Sequence, residues 1–219
     1  MEIIKELLTI NPYSRPGTKR SKTTKVAVHW VGNAGSKAIN NRNYFESLKD
    51  KKIYASSHYI IGLEGEIIQC IPEDEIAYTT NSANAYSIGI ECCHPDWTGK
   101  FNDKTYNSMV KLFADICKRY KLNPLTDIIR HYDITKKECP KYFVDHPDKF
   151  EQFKKDVQAK MKGGEYVVIK AKVVINGVEK EVNVINVDGN NFIKLQDLRD
   201  DKIAVGYDST KKMPTITTK

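Results

Sequence analysis

The chain has no long apolar run. Nothing in its 219 residues approaches the roughly 18–20 consecutive hydrophobic positions that a membrane span requires, so no membrane insertion is expected. Its N-terminus, MEIIKELLTINPYSRPGTKR, lacks an apolar h-region and a small-residue cleavage site, so no secretory signal is expected either. Cysteine is scarce and badly arranged for cross-linking. The five residues Cys70, Cys92, Cys93, Cys117 and Cys139 are odd in number, and two are adjacent. That pattern suggests no disulfide framework, and with no export signal expected, folding in a reducing cytoplasm is expected. There is no internal repeat and no low-complexity tract, which argues against a solenoid or a linker-rich chain. No basic stripe or nucleic-acid motif stands out, so no nucleic-acid partner is expected.

What remains is an ordinary globular composition, with 40% hydrophobic and 29% charged residues. The length suits one full domain plus a small one. Net charge is +7; residues 163–219 hold nine Lys and Arg against eight Asp and Glu, so 26 against 20 lie in residues 1–162. A basic excess favours an anionic partner, an anionic cell wall among them, against the plain alternative of a solvated basic surface.

Residues 1–162 mix strands and helices. KVAVHWVG reads as a buried strand, and SSHYIIGLEGEIIQCI as a hairpin turning at Glu64-Gly65. SIGIECC and TDIIRHYD are further short strands. AINNRNYFESLKD has Ile39, Tyr44, Phe45 and Leu48 near helical spacing. DKTYNSMVKLFADICKRYKL carries a stripe from Tyr106 to Tyr120, with Asp103 as its expected N-cap and Asn123-Pro124 as its stop. DHPDKFEQFKKDVQAKM is a polar-faced helix with Phe150, Phe153 and Val157 inward. The expected fold class is α/β, a central mixed sheet flanked by helices. Gly163-Gly164 then marks a linker, and residues 163–219 read as a small β-rich domain. Asn176-Gly177 and Asp188-Gly189 are its turn signals, with one short helix expected near 195–200.

The sequence VAVHWVG places a histidine inside an oily strand. Alternation sends Val26, Val28 and Trp30 to one face, and Ala27, His29 and Val31 to the other. A lone buried histidine is most simply a hydrogen-bonded core residue. RHYDITKKECP, however, supplies His131 and Cys139 from one loop. Two imidazoles and a thiolate suit zinc and leave a fourth coordination position open. An ion so held keeps a charge of about +1, enough to polarise a carbonyl or acidify a water. His58, at the start of an apolar strand, is the alternative ligand; His94 and His146 precede prolines and read as surface residues. Cys70, Cys92, Cys93 and Cys117 read as packed thiols.

The segments AVHWVG, SSHYIIGLEGEIIQCIPEDEIAY, SIGIEC and RHYDITKKECP resemble, in order and spacing, the zinc-dependent type-2 N-acetylmuramoyl-L-alanine amidases. That family includes the peptidoglycan recognition proteins and the lysozyme of T7-like phages. The likeness runs over roughly residues 20–160 and is strongest to endolysins of phages that infect Gram-positive, clostridium-like hosts. It implies zinc on His29, His131 and Cys139, a catalytic Glu91, and Lys137 as a stabiliser of the transition state. The implied substrate is peptidoglycan of a Gram-positive wall, cut at the amide between N-acetylmuramic acid and L-alanine. The implied location follows: synthesis in the host cytoplasm, action on the wall after release. Two departures shift base work onto Glu91: Ser57 stands where some members carry a tyrosine, and Tyr78-Thr79-Thr80 where many carry a histidine.

Plainer readings stand beside these. Glu91 could orient a zinc-bound histidine, Lys137 could be a surface charge, and Cys139 an inert thiol. A peptidoglycan-binding protein that does not cut is the alternative function, and retention of Cys139 argues against it. The C-terminal segment is expected to bind the cell wall or to dimerise, with Tyr166, Phe192 and Tyr207 available to stack on sugars. A separately translated C-terminal fragment, starting at Val167 behind the Gly-Gly codons, is a further expectation from the resemblance.

Overall fold

The computed structural model describes residues 1–162, 168–175, 177–187, 190–210 and 213–218. The chain divides into two compact units, Met1–Gly163 and Gly164–Lys219. The expectations placed on Gly163-Gly164, Tyr166, Val167, Asn176 and Asp188-Gly189 lie outside the described residues.

The first unit runs β1 (Ile4–Lys5), β2 (Lys25–Trp30), α1 (Ala38–Lys51), β3 (Tyr59–Ile61) and β4 (Ile67–Gln69). A 3-10 turn (Asn81–Ala85) leads to β5 (Ser87–Cys92), α2 (Asp103–Tyr120), α3 (Pro124–Asp127) and β6 (Ile128–Arg130). It closes with α4 (His131–Thr135), α5 (Lys141–Asp145) and α6 (Pro147–Met161). Six strands form one sheet in the order β1-β4-β3-β5-β2-β6. Only β3 and β4 pair antiparallel, as the Glu64-Gly65 turn dictates; every other neighbour is parallel. Gly65 sits at φ +83, a conformation that L side chains rarely adopt.

Alternation on the strands decides what each face meets. Val26, Val28, Ile88 and Ile90 join the core built with α2 and α6, where Met109, Leu112, Phe113, Ile116, Phe153 and Val157 are fully buried. Full burial of each such side chain contributes about 1.5–3 kcal/mol. The opposite face, with Leu8, Val31, Ile60 and Ile68, packs against Phe45 and Leu48 of α1. His29 and Glu91 alternate with Val28 and Ile90, so they look toward this second face.

Local details correct three sequence expectations. Ile39 and Tyr44 are exposed; Ala38 and Asn41 take their places beside Phe45 and Leu48, because a spacing of three and four residues keeps 38, 41, 45 and 48 on one side of α1. The N-cap of α2 is Asn102, not Asp103: its side chain accepts from Thr105 N at 2.9 Å, and Asp103 becomes the first helical residue, where its charge suits the dipole. α2 also ends before Asn123-Pro124, at Lys121 in the left-handed region; Asn123 instead caps α3, with Pro124 in its first turn.

In the second unit, β7 (Val168–Ile175), β8 (Val178–Val187) and β9 (Asn190–Ile193) form an antiparallel sheet. A 3-10 turn at Leu195–Leu198 fills the place of the expected short helix. β10 (Ile203–Asp208) and β11 (Met213–Thr218) make a separate hairpin. Val182 and Val184 of β8 and Ile203 and Val205 of β10 are this unit's buried hydrophobics among the described residues. No described helix is long and apolar enough to cross a membrane.

Candidate metal centre and cleft

Three neighbouring parallel strands deliver the site at their carboxyl ends. In the register of β2 and β5, His29 lies opposite Glu91. In the register of β2 and β6, Val28 lies opposite Arg130, so His131, the next residue, arrives beside His29. The two imidazole rings meet edge to face, with centroids 4.8 Å apart. From His131 the chain makes the single turn of α4, passes Lys136 at φ 65, and returns to bring Cys139 back to the sheet. Tyr132 N donates to Cys139 O at 3.0 Å and closes this loop. The Cys139–Pro140 peptide is cis.

One donor atom each from His29, His131 and Cys139 lies within 4.8 Å of the others, and all three residues are buried. Cys139 Sγ is 3.6 Å from His29 Nδ1. Burial, with His131 and Lys137 adding repulsion, holds the His29 imidazole well below the ordinary histidine range, and burial with Lys137 lowers His131 as well. Both rings are therefore neutral near pH 7 and have a lone pair to offer. Burial pushes the Cys139 thiol up to about 12, so a cation must take the place of its proton before it ionises. Two soft nitrogens and one sulfur in a buried triangle fit zinc with an open position.

Glu91 borders the cluster. The residue is only partly covered, yet its Oε2 is shut off from solvent and has no hydrogen-bond partner among the described residues. Burial pushes its carboxyl up to about 8, opposed by the Lys137 ammonium. Glu91 and Lys137 line two adjoining hollows. One, of about 280 Å3, holds His29, His131 and Cys139. The other, of about 490 Å3, extends along α1 past Asn40, Asn41 and Tyr44. Lys137 itself is exposed.

His58, the alternative ligand, stands apart from the cluster. Its Nδ1 accepts from Gly89 N at 3.0 Å, its Nε2 faces Glu75 O at 2.9 Å, and burial lowers its pKa to about 4. It is a buried brace between β5 and the segment leading to residue 81. His94, expected on the surface, is fully buried. It stacks on Trp30 with centroids 4.5 Å apart, its ring nitrogens against Val31 O and Asp96 O. Pro95 marked a loop, but a loop folded over a tryptophan buries its histidine all the same. His146 is exposed. Cys70, Cys92, Cys93 and Cys117 are buried free thiols.

Sequence reasoning named Thr80 only as a departure from the family pattern, gave it no role, and missed Asn81. Thr80 Oγ1 lies 2.9 Å from His29 Nε2, and Asn81 Oδ1 lies 3.2 Å from His131 Nε2. Each pair is about fifty residues apart in sequence, so no local pattern announces it.

Among curated proteins, the N-acetylmuramoyl-L-alanine amidase BlyA of Bacillus subtilis (strain 168) is 35% identical over 176 residues, 71% of this chain and 47% of its own length. The amidase CwlL of Bacillus licheniformis is 29% identical over 225 residues, 96% of this chain and 61% of its own length. The chain thus spans about half to three-fifths of the length of these relatives. Among solved structures, PlyL superposes with a TM-score of 0.61 at 24% identity, over 72% of this chain and 97% of that one. LysC from Clostridium intestinale URNW gives 0.51 at 17%, over 64% and 89%. These two likenesses establish the fold. The family model for N-acetylmuramoyl-L-alanine amidases matches residues 19–142, from ahead of β2 to just beyond Cys139. A match over more than half of the chain, enclosing the whole metal cluster, places this protein in the Amidase_2 family.

Proposed function

We propose that this chain is a zinc-dependent amidase that cleaves the bond between N-acetylmuramic acid and the L-alanine of the peptidoglycan stem peptide. The convergence of His29, His131 and Cys139 beside an unpartnered Glu91 oxygen carries the reading. Zinc bound by those three residues would polarise the scissile carbonyl and make a water acidic enough to attack it. Glu91, as a carboxylate beside the bound cation, takes the water's proton and returns it to the departing amine; its buried Oε2, which has no other partner among the described residues, is free for that exchange. Lys137, on the cleft wall, sets a positive charge near the carbonyl oxygen as it becomes negative. Such donors commonly contribute about 2.7–4 kcal/mol to the transition state. The hollow along α1 gives the polymer room to lie beside the reacting bond.

The finer setting belongs to the same proposal. The sequence motifs, and the endolysin and amidase character of proteins sharing this fold, support an endolysin of a Gram-positive, clostridium-like host, made inside the cell and acting on the wall. The second unit would attach the enzyme to that wall or to another copy of itself, with exposed Phe192 and Tyr207 as its aromatic contacts. Intact-mass analysis after expression tests for a separate fragment beginning at Val167.

The deciding experiment is digestion of purified Gram-positive walls with and without a chelator. New L-alanine amino termini, no new reducing sugars, and loss of both turbidity change and termini on chelation are expected. Binding to walls without any new termini would overturn the enzymatic reading.

A further inference from the structure

The outer nitrogens of the two histidines are held by consecutive residues. Thr80 donates its hydroxyl proton to Thr79 Oγ1 at 3.0 Å, so its lone pairs are what face His29 Nε2. That nitrogen must then carry the proton. Asn81 turns its carboxamide oxygen, which has no proton to give, toward His131 Nε2. That nitrogen must carry one as well. A neutral imidazole with its proton on Nε2 has a bare lone pair on Nδ1, and His29 Nδ1 is the atom beside Cys139 Sγ.

The turn bearing these residues is built to hold still. Asn84 Oδ1 accepts from both Thr79 N, at 3.0 Å, and Thr80 N, at 2.6 Å. Thr79 packs onto Gly89 of β5, where any Cβ would collide with its side chain. Asn81 sits at φ 52, a left-handed conformation that costs energy for a residue other than glycine. Upstream, Ser56 Oγ accepts from Tyr78 N at 2.9 Å.

We propose that Thr80 and Asn81 are positioning residues: together they fix the Nε2–H tautomer of both His29 and His131 and so aim both Nδ1 lone pairs at one cation. The inference rests on the metal-site reading above and adds to it what orients the ligands. Both partners are neutral oxygens rather than carboxylates. They orient the rings without adding negative charge, so a divalent ion here is offset by the Cys139 thiolate alone among its ligands and their partners.

Competition against a chromophoric zinc chelator, on the full chain, provides the test. Thr80→Val keeps the shape and removes the acceptor; it should weaken zinc binding by about 10–100-fold, and Thr80→Ser should restore it. Asn81→Gly should weaken binding by a similar factor. Glycine adopts φ 52 without strain, so the metal-free Asn81→Gly chain should melt no lower than the parent, which separates ligand orientation from a folding defect. Long-range proton–nitrogen NMR of the zinc-loaded parent should show Nδ1 metal-bound and Nε2 protonated on both histidines. Unchanged affinity in both Thr80→Val and Asn81→Gly, or an Nδ1–H on either ring, would overturn the proposal. Failure of the parent to bind zinc, or Cys139→Ala binding as tightly as the parent, would overturn the metal site itself and the proposal with it.

Discussion

The two units of this chain bury their hydrophobic residues very differently. In Met1–Gly163 a six-stranded sheet is covered on both faces, by α2 and α6 on one side and by α1 on the other. In Gly164–Lys219 two small antiparallel sheets bury four valine and isoleucine side chains among the described residues and leave Val174, Val178, Phe192 and Ile216 exposed. A buried polar cluster such as His29, Glu91 and His131 is costly to hold in place, and the first unit has the surrounding core to offset that cost. A β-module with a small core is marginal by itself and gains from a surface to lie on.

The largest expected effect tests the first unit's chemistry. Glu91→Gln should lower wall hydrolysis by about 10²–10⁴-fold while zinc content by atomic absorption stays at the parent level. Next comes a direct contest between the two cores. Phe153→Ala, which removes a ring packed against Phe113 and Phe143, should cost about 3–5 kcal/mol in urea unfolding. Val205→Ala in the second unit should cost about 1–2 kcal/mol and leave hydrolysis of a soluble muropeptide unchanged. Equal losses of activity in both variants would erase the contrast.

A smaller effect concerns pH. The Glu91 carboxyl keeps its proton to about pH 8 in the folded metal-free chain, whereas an unfolded glutamate loses it near the ordinary 4.5. Between those values the folded state binds more protons, so stability falls as pH rises through the window. Metal-free Glu91→Gln escapes that loss. It should be more stable than the parent above pH 8, by on the order of 1–3 kcal/mol, and should match it below pH 4.5. Chelator-treated protein followed by circular dichroism across pH decides it. The smallest effect is at the exposed Lys172–Glu179 pair of the second unit, 3.0 Å apart, where Lys172→Ala should leave the unfolding midpoint unmoved.

How much of this was legible beforehand depends on distance along the chain. The β3–β4 hairpin and the long α2 are written in local signals, a Glu-Gly turn and a 3.6-residue stripe, and they stand as read. The division of labour on β2, with Val28 down into the core and His29 up, also follows from alternation alone. Boundaries were harder, because Asn102 and Asp103 are both good caps and only backbone geometry chooses between them. His94 was misplaced for another reason: its burial comes from Trp30, sixty-four residues away. The meeting of His29 with Cys139, 110 residues apart, has no local signature and was readable only through motifs resembling a known family. The same resemblance marked the position of Thr80 but not its role, and Asn81 not at all, since nothing in the letters TTN says which ring nitrogens they will face.

The interior position of β5 and β2 has one more consequence. Each is flanked by strands on both sides, with β3 beyond one and β6 beyond the other. Their amide hydrogens can reach solvent only when the whole sheet opens, so deuterium uptake around residues 28–30 and 89–91 should be the slowest in the molecule. His29 and Glu91 therefore sit on the least frayable strands, whereas His131 follows the edge strand β6 and Cys139 the loop beyond α4. On heating, the His131–Cys139 side of the cluster should loosen first, with His29 and Glu91 held until the sheet opens.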